Sequence, residues 1–314
     1  KEAIAIDVDL AEAYHHLSGI YYHIGMPEEA IRAVRSALEK RNVWPVAHAN
    51  LGMALMLAGR WLDGWREYAH RIEVTGLTSP LPLWSGQSDA TVILWAEGGA
   101  GDMLMMARYL SLLKARNVKV KCVCPKPLWR VLESKVDGCF GNLEAAGQAD
   151  FHCPIFNLPM VLGMNEPWWG GEYIDAKSCL DESNKLRVGI CWAGNPTHRN
   201  DRNRSLPRKA FEAFKIDGVE LCSLQHGGGD SDWSITAEVV AGLDLVISVD
   251  TGVAHLAGAM GKPVWVILPK MGVDWRWGMR GESTAWYPSM RLFRGGADAI
   301  AGMAVLLKSE LGGT

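Results

Sequence analysis

One stretch constrains this chain more than any other: the apolar run Leu243-Asp244-Leu245-Val246-Ile247-Ser248-Val249, closed by Asp250-Thr251-Gly252 and followed at once by the helical pattern Val253-Ala254-His255-Leu256-Ala257-Gly258. A β-branched run of this kind reads as a strand buried in a parallel sheet. The turn after it places the free N–H groups of a helix start at the carboxyl end of that strand. Such a position favours a phosphate or pyrophosphate, through unpaired donors and the helix dipole. Gly252 lets a ligand approach the backbone, and His255, one turn in, faces the same mouth. The same pattern also fits a capped helix after a core strand, with no ligand at all.

The rest of the chain from residue 89 onward alternates in the same way. Strands are expected at Thr91–Ala96, Val118–Cys124, Phe151–Ile155, Leu186–Trp192, Val219–Leu224, Leu243–Val249, Pro263–Leu268 and Met290–Phe293. Helices are expected at about Asp102–Ala115, Leu128–Ser134, Pro207–Phe214, Ser234–Ala241 and Val253–Met260, with a final amphipathic helix at Ala297–Leu311. Alternation of this sort implies parallel sheets with helices on both faces. A linker at Pro167–Lys185 divides the elements into two Rossmann-like halves. Ligands in such sheets bind outside the carboxyl ends of strands and in clefts between domains.

Ahead of this region the sequence repeats itself. At a spacing of 34, Leu17 meets Leu51, Ser18 meets Gly52, Tyr21 meets Leu55, Gly25 meets Gly59, Ala30 meets Gly64 and Val34 meets Tyr68. Small residues at helix crossings with larger ones between them mark paired antiparallel helices, and the period resembles that of the tetratricopeptide repeat. Ala11–Trp44 matches well and Pro45–Glu73 less well, while Lys1–Leu10 reads as the tail of an earlier repeat. So few repeats do not stand alone: further repeats lie upstream, or these pack on the strand-bearing part of the chain. Thr75–Ser88, rich in Gly, Pro and Ser, reads as a linker.

Composition narrows the function classes. With 48% hydrophobic and 21% charged residues the 314-residue chain is globular, and its net charge of −3 gives no general attraction to nucleic acid. No apolar run is long enough for a membrane span. The chain begins at Lys1, without Met, and reads as a fragment. The seven cysteines are odd in number and lack a C-x-x-C. Cys122, Cys124, Cys191 and Cys222 fall in strand-like runs and read as small buried residues of a reducing compartment.

Three loops offer chemistry. Glu97-Gly98-Gly99-Ala100-Gly101-Asp102 follows the first strand; its glycines allow close approach, and Asp102 sits at a helix start. Asp102 reads either as an N-cap or as a general base taking a proton from an acceptor hydroxyl. Gly194-Asn195-Pro196-Thr197-His198-Arg199-Asn200-Asp201-Arg202-Asn203-Arg204 follows the first strand of the second half. Its arginines suit a diphosphate leaving group, or simply a solvated loop. Asp274-Trp275-Arg276-Trp277 and Trp286-Tyr287-Pro288 offer aromatic faces and cations for a sugar or base, or pack the loop on the core. Asp230-Ser231-Asp232 looks like a metal-binding D-x-D but lies after Gly227-Gly228-Gly229 and reads as a turn, so no metal is expected.

In this order, the three loops and the Leu243–Gly258 stretch resemble glycosyltransferase family 9, the lipopolysaccharide heptosyltransferases of GT-B fold, and most of all bacterial proteins that place tetratricopeptide repeats before such a domain. The resemblance implies an α + α/β chain: repeat hairpins over 1–76, an acceptor-side Rossmann-like domain over 77–182, and a nucleotide-sugar-binding domain with a final crossover helix over 183–314. It implies inverting, metal-independent transfer from a nucleotide-diphosphate sugar, which is a substrate and not a cofactor. Asp102 falls at the base. Asp250, Thr251, Gly252 and His255 fall on the donor diphosphate, with Asn195 and Arg204 beside them. Gly99, Gly101, His198, Trp275 and Arg276 fall in the donor and acceptor cleft. Heptosyltransferases carry a Lys after the first strand of the second half; here His198, Arg199, Arg202 and Arg204 stand instead, and Arg204 is the expected substitute.

The leading expectation is therefore a glycosyltransferase acting on a glycan or protein hydroxyl. The alternative is an inactive scaffold whose repeats hold a protein partner. A cytoplasmic location is expected, with peripheral attachment to the inner membrane left open. Deleting Lys1–Gly76 is expected to separate a protein acceptor from a glycan one.

Overall fold

The computed structural model describes residues 10–76, 78–225 and 231–312. The expected repeat tail before Leu10, and Asp230 with its three preceding glycines, lie outside the described residues.

Four helices open the described residues: α1 (Ala11–His23), α2 (Pro27–Lys40), α3 (Pro45–Leu57) and α4 (Trp61–Tyr68). Proline starts both α2 and α3, where its missing N–H and fixed φ cost nothing. The turns of the two hairpins share one geometry. Gly25 and Gly59 take φ of 76° and 78°. The next residue then donates its N–H back across the helix end, Met26 to the Tyr21 carbonyl and Arg60 to the Leu55 carbonyl, both at 2.8 Å. Those residues stand 34 apart, so the sequence repeat is also a repeat of turn geometry. The crossing of α3 and α4 is close enough to demand glycine. A Cβ on Gly52 would lie 2.5 Å from the Tyr68 nitrogen and 2.7 Å from the Gly64 carbonyl oxygen. Ser18 and Ala30 are the buried equivalents in the first hairpin. A short helix, α5 (Arg71–Thr75), ends the segment at Gly76 in the left-handed region.

The first sheet has order β3-β2-β1-β4, all parallel, from β1 (Thr91–Trp95), β2 (Lys119–Val123), β3 (Cys139–Phe140) and β4 (Phe151–Pro154). Helix α6 (Ala100–Met106) follows β1. The single long helix expected after it gives way to a 3₁₀ turn at Ala107–Tyr109 before Leu110–Lys114. The second sheet has order β6-β5-β7-β8-β9, also parallel, from β5 (Leu186–Cys191), β6 (Val219–Ser223), β7 (Leu245–Val249), β8 (Val264–Leu268) and β9 (Met290–Arg294). Helix α7 (Trp233–Ala241) precedes β7 and α8 (Gly252–Ala259) follows it. Every residue of β7 and β8 is buried, as a two-faced apolar run requires. β7 starts at Leu245 and not at Leu243; just before it the exposed Asp244 carboxylate accepts the Arg187 N–H at 2.8 Å.

The last helix, α9 (Ile300–Gly312), packs on the second half: Ile300, Met303 and Leu307 bury against Phe211, Phe214 and Ile247. It is part of that domain's core, and no described packing assigns it a crossover. The helical segment packs on the strand-bearing part of the chain, one of the two readings its short repeat allows. Met56, Leu57 and Trp65 belong to one apolar core with residues of both sheets' domains. Trp65 meets Trp275 edge-on at 5.3 Å, and Trp61 meets Trp286 at 5.7 Å. Arg71 completes the joint with a two-pronged ion pair to Glu97 at 2.9 and 2.6 Å, and a third bond to Asn157. Residue 76 is thus a boundary of architecture and not of packing.

Candidate active site

The chain brings the carboxyl ends of β1 and β7 together, and the helices after these strands start against each other. A Cβ on Gly101 would lie 3.0 Å from the Gly252 Cα and 3.0 Å from the His255 ring. Gly101, Gly252 and His255, which sequence separates by about 150 residues, form one contact. The loop before α6 is fixed from behind. Glu97, held by Arg71, also accepts the Phe156 N–H at 3.3 Å, and Gly98 takes φ of 70°.

Asp102 is the third residue of α6, whose N-cap is Gly99, and its two oxygens face different partners. Its Oδ2 accepts the Gly99 N–H at 2.6 Å, capping the start of α6. Its Oδ1 faces across to the second half and pairs with Nη2 of Arg276. Arg276 also binds Asp274 through Nη1 at 2.8 Å and lies 4.4 Å over the Trp275 ring. Its Nε is buried without a partner among the described residues. Burial opposes the guanidinium charge, but Asp274, Asp102 and Asp250 outweigh it and hold the pKa above that of a free arginine.

Asp250, at the end of β7, has its carboxyl raised to about 6 by burial and by Asp274, against the pull of Arg276 and Arg204. Arg204 donates to the Asp250 carbonyl at 2.9 Å and to Asp201 at 3.3 Å. It crosses so close over Gly194 that a Cβ there would lie 2.5 Å from Nη2. Of the loop's arginines, Arg199 and Arg202 are exposed and Arg204 alone is half-buried. The Thr251 hydroxyl is turned inward, 3.1 Å from Ser248 Oγ and 3.7 Å from Cys191 Sγ. It braces the turn, which leaves the Gly252 and Val253 N–H groups as the donors of the α8 start. His255 bonds through Nδ1 to the Tyr287 hydroxyl at 3.0 Å and stacks on Trp277 at 5.2 Å. Burial, then Arg276, Arg108 and Arg204, push its pKa well down, so it is neutral near pH 7.

Asn195, His198 and Trp275, also expected at the site, are engaged in other contacts. Asn195 is exposed and uses its side-chain oxygen to accept from Thr197 N–H and hydroxyl. His198 is exposed in the same loop and accepts the Asn200 N–H; burial and Arg204 lower its pKa. Trp275 is only 3% exposed, closed in by Trp65, Trp61 and Trp286, and offers no free face for a base or sugar. Asp232 caps α7 by accepting the Ser234 N–H at 2.9 Å.

Sequence reasoning passes over four supports. Gln225 accepts the N–H groups of Trp192 and Ala193 and donates to the Ala193 carbonyl, clamping the loop after β5. Asp274 holds Arg276, and Tyr287 holds His255. Arg108 is fully buried, donating to the carbonyls of Trp286 at 2.7 Å and Trp168 at 3.2 Å, with its guanidinium 4.6 Å over Tyr287. It ties the first half to the loop beneath His255. Asp274 and Tyr287 lie inside the aromatic loop segments quoted from the sequence, but nothing there assigns them these roles, and Gln225 lies in no quoted segment.

Residues 232–267 match the family model described as glycosyltransferase family 9 (heptosyltransferase). That stretch contains α7, β7, the Asp250-Thr251-Gly252 turn, α8 and most of β8. No curated protein matches the sequence. Among solved structures, the chain is similar to the ADP-heptose lipopolysaccharide heptosyltransferase II of E. coli, at 11% identity and TM-score 0.46, over 70% of this chain and 99% of that one. It is similar to a glycosyl transferase family 9 protein of Veillonella parvula, at 9% identity and TM-score 0.49, over 71% and 97%. It is also similar to an O-GlcNAc transferase variant of Thermobaculum terrenum, at 14% identity and TM-score 0.34, over 99% and 78%. The family-model match identifies the β7–α8 turn, on which the second half of the site is built, as glycosyltransferase family 9-like.

Proposed function

We propose that the protein is an inverting, metal-independent glycosyltransferase of the GT-B kind, with a tetratricopeptide-type segment at its start. It moves a sugar from a nucleotide-diphosphate donor to a hydroxyl. One observation carries the reading: Asp102 and the N-terminus of α8 converge across the two halves, in a chain whose β7–α8 stretch matches the family 9 model.

The donor diphosphate lies at the start of α8, where the Gly252 and Val253 N–H groups and the helix dipole receive its charge. Arg276 and Arg204 are the nearby cations. The incoming phosphates compete with Asp102 for Arg276. As the guanidinium turns to them, the Asp102 carboxylate is freed on one oxygen while Gly99 keeps the other in place. The acceptor hydroxyl then attacks the anomeric carbon from the face opposite the diphosphate, and its proton passes to Asp102. The charge growing on the leaving phosphate meets donors already in position. Neutral His255 shapes the wall beside Gly101 and adds no charge.

The test is a titration of the protein with ADP, GDP, UDP, dTDP and CMP, followed by melting temperature. A saturable rise with one nucleoside diphosphate supports a donor site and names the donor to assay. No shift with any of them sinks the donor site and favours the scaffold.

A further inference from the structure

Away from the cleft, two histidines of the second hairpin lie face to face. His48 on α3 and His70, just after α4, stack with ring centroids 4.4 Å apart and planes inclined by 27°. Glu67, near the end of α4, brings Oε2 to 2.7 Å from His48 Nδ1. One potential ligand atom from each of the three lies within 4.8 Å of the other two. The remaining ring nitrogens are already engaged. His48 Nε2 lies 3.2 Å from the Asn42 carbonyl oxygen, and His70 Nδ1 lies 3.0 Å from Glu73 Oε1. A carbonyl or carboxylate behind an imidazole is the support that fixes a metal-bound histidine in one tautomer and aims its other nitrogen at the ion. With those supports in place, His48 Nδ1, His70 Nε2 and the Glu67 carboxylate are the atoms an ion would take.

We propose that His48, Glu67 and His70 bind a divalent late transition-metal ion, of which zinc is the type, with a fourth position open to water. Two imidazoles and one carboxylate suit such an ion, whereas calcium and magnesium favour oxygen-only sets. Tetrahedral ligand bonds of about 2.0–2.2 Å set ligand atoms roughly 3.4 Å apart, so the His48–Glu67 pair opens slightly and the wider separations close by about an ångström, a movement within reach of half-exposed side chains (His48 23%, Glu67 31% and His70 44% exposed). A plain surface ion pair between His48 and Glu67 needs neither the second ring nor the carboxylate behind it. The site is separate from the transfer cleft and does not rest on the proposed function. Its ion staples α3 to the end of α4, one residue before the Arg71 that holds Glu97.

The experiment is calorimetric titration of the full chain with Zn²⁺ after chelator treatment, beside His70→Gln and Glu67→Gln. The expected result is one equivalent of zinc that raises the melting temperature, with at least a tenfold loss of affinity in either variant and unchanged melting of the metal-free proteins. Co²⁺ substitution of the unaltered protein should give visible bands of nitrogen and oxygen ligation without a thiolate charge-transfer band, a readout that needs no variant. The proposal is overturned if zinc does not bind, if His70→Gln binds it as tightly as the parent, or if cobalt reports cysteine ligation.

Discussion

Asp102 divides its two oxygens between the Gly99 N–H and Arg276, so a substitution there separates shape from charge. Asp102→Asn keeps an acceptor for Gly99 and removes the proposed base. Transfer should fall by about a hundredfold or more, while nucleotide affinity, measured by the same melting shift, stays within a few-fold. Full transfer by the variant removes Asp102 from the mechanism. Asp250 allows a prediction from pH. Its folded carboxyl titrates at about 6, above that of an unfolded aspartate. Between roughly pH 4 and 6 the native chain therefore holds a proton that the unfolded chain has lost. Stability from this group rises as pH falls through that window and is lowest above it. Paired melts of the parent and Asp250→Asn should show the difference moving in the parent's favour from pH 7 down to 4; a constant difference contradicts the shift. At this scale the sequence discloses the residues with a motif behind them. Asp102, Gly252 and His255 stand at fixed steps from strand ends, and a strand end predicts where a side chain goes. Asp274, Gln225 and Tyr287 act on those residues through space, and no spacing announces them.

At the scale of elements, the α3–α4 crossing shows how a repeat is enforced. Gly52→Ala puts a methyl group against backbone atoms of α4 that cannot turn aside, and should cost about 2 kcal/mol or more. Gly19→Ala, one residue after the equivalent place in α1, meets nothing within 4 Å and should be neutral or stabilise by up to about 1 kcal/mol. Urea denaturation of the two variants checks the contrast; equal effects would show that the crossing does not depend on its glycines. The pairing of Ser18 with Gly52 and Ala30 with Gly64 is readable because helix crossings select for size. The long strands are readable because two-faced burial forbids polar interruptions. β3 is not, since Cys139-Phe140 is too short to show a period.

For the whole molecule, the joint between the helices and the sheets decides what can be removed. Arg71 is 6% exposed and satisfied on every side, so Arg71→Ala leaves the enclosed Glu97 carboxylate uncompensated. A loss of about 3–5 kcal/mol is expected from urea titration; a loss below about 1 kcal/mol would show that the pair contributes little. Deleting residues 1–76 strips the cover from Trp275 and Trp286 and should yield a chain that binds hydrophobic dyes and lacks near-ultraviolet dichroism. Retention of a sharp thermal transition would show the helices to be dispensable. This joint is illegible in the sequence, because the apolar faces of Trp61 and Trp65 do not say which element covers them. Gly101 and Gly252 leave less than a side chain's width between the two helix starts, so a ligand that is to touch both has first to part the two halves. The tempo of the protein then belongs to hydrodynamics as well as to chemistry, and a thicker solvent should slow turnover even where every bond-making atom is unchanged.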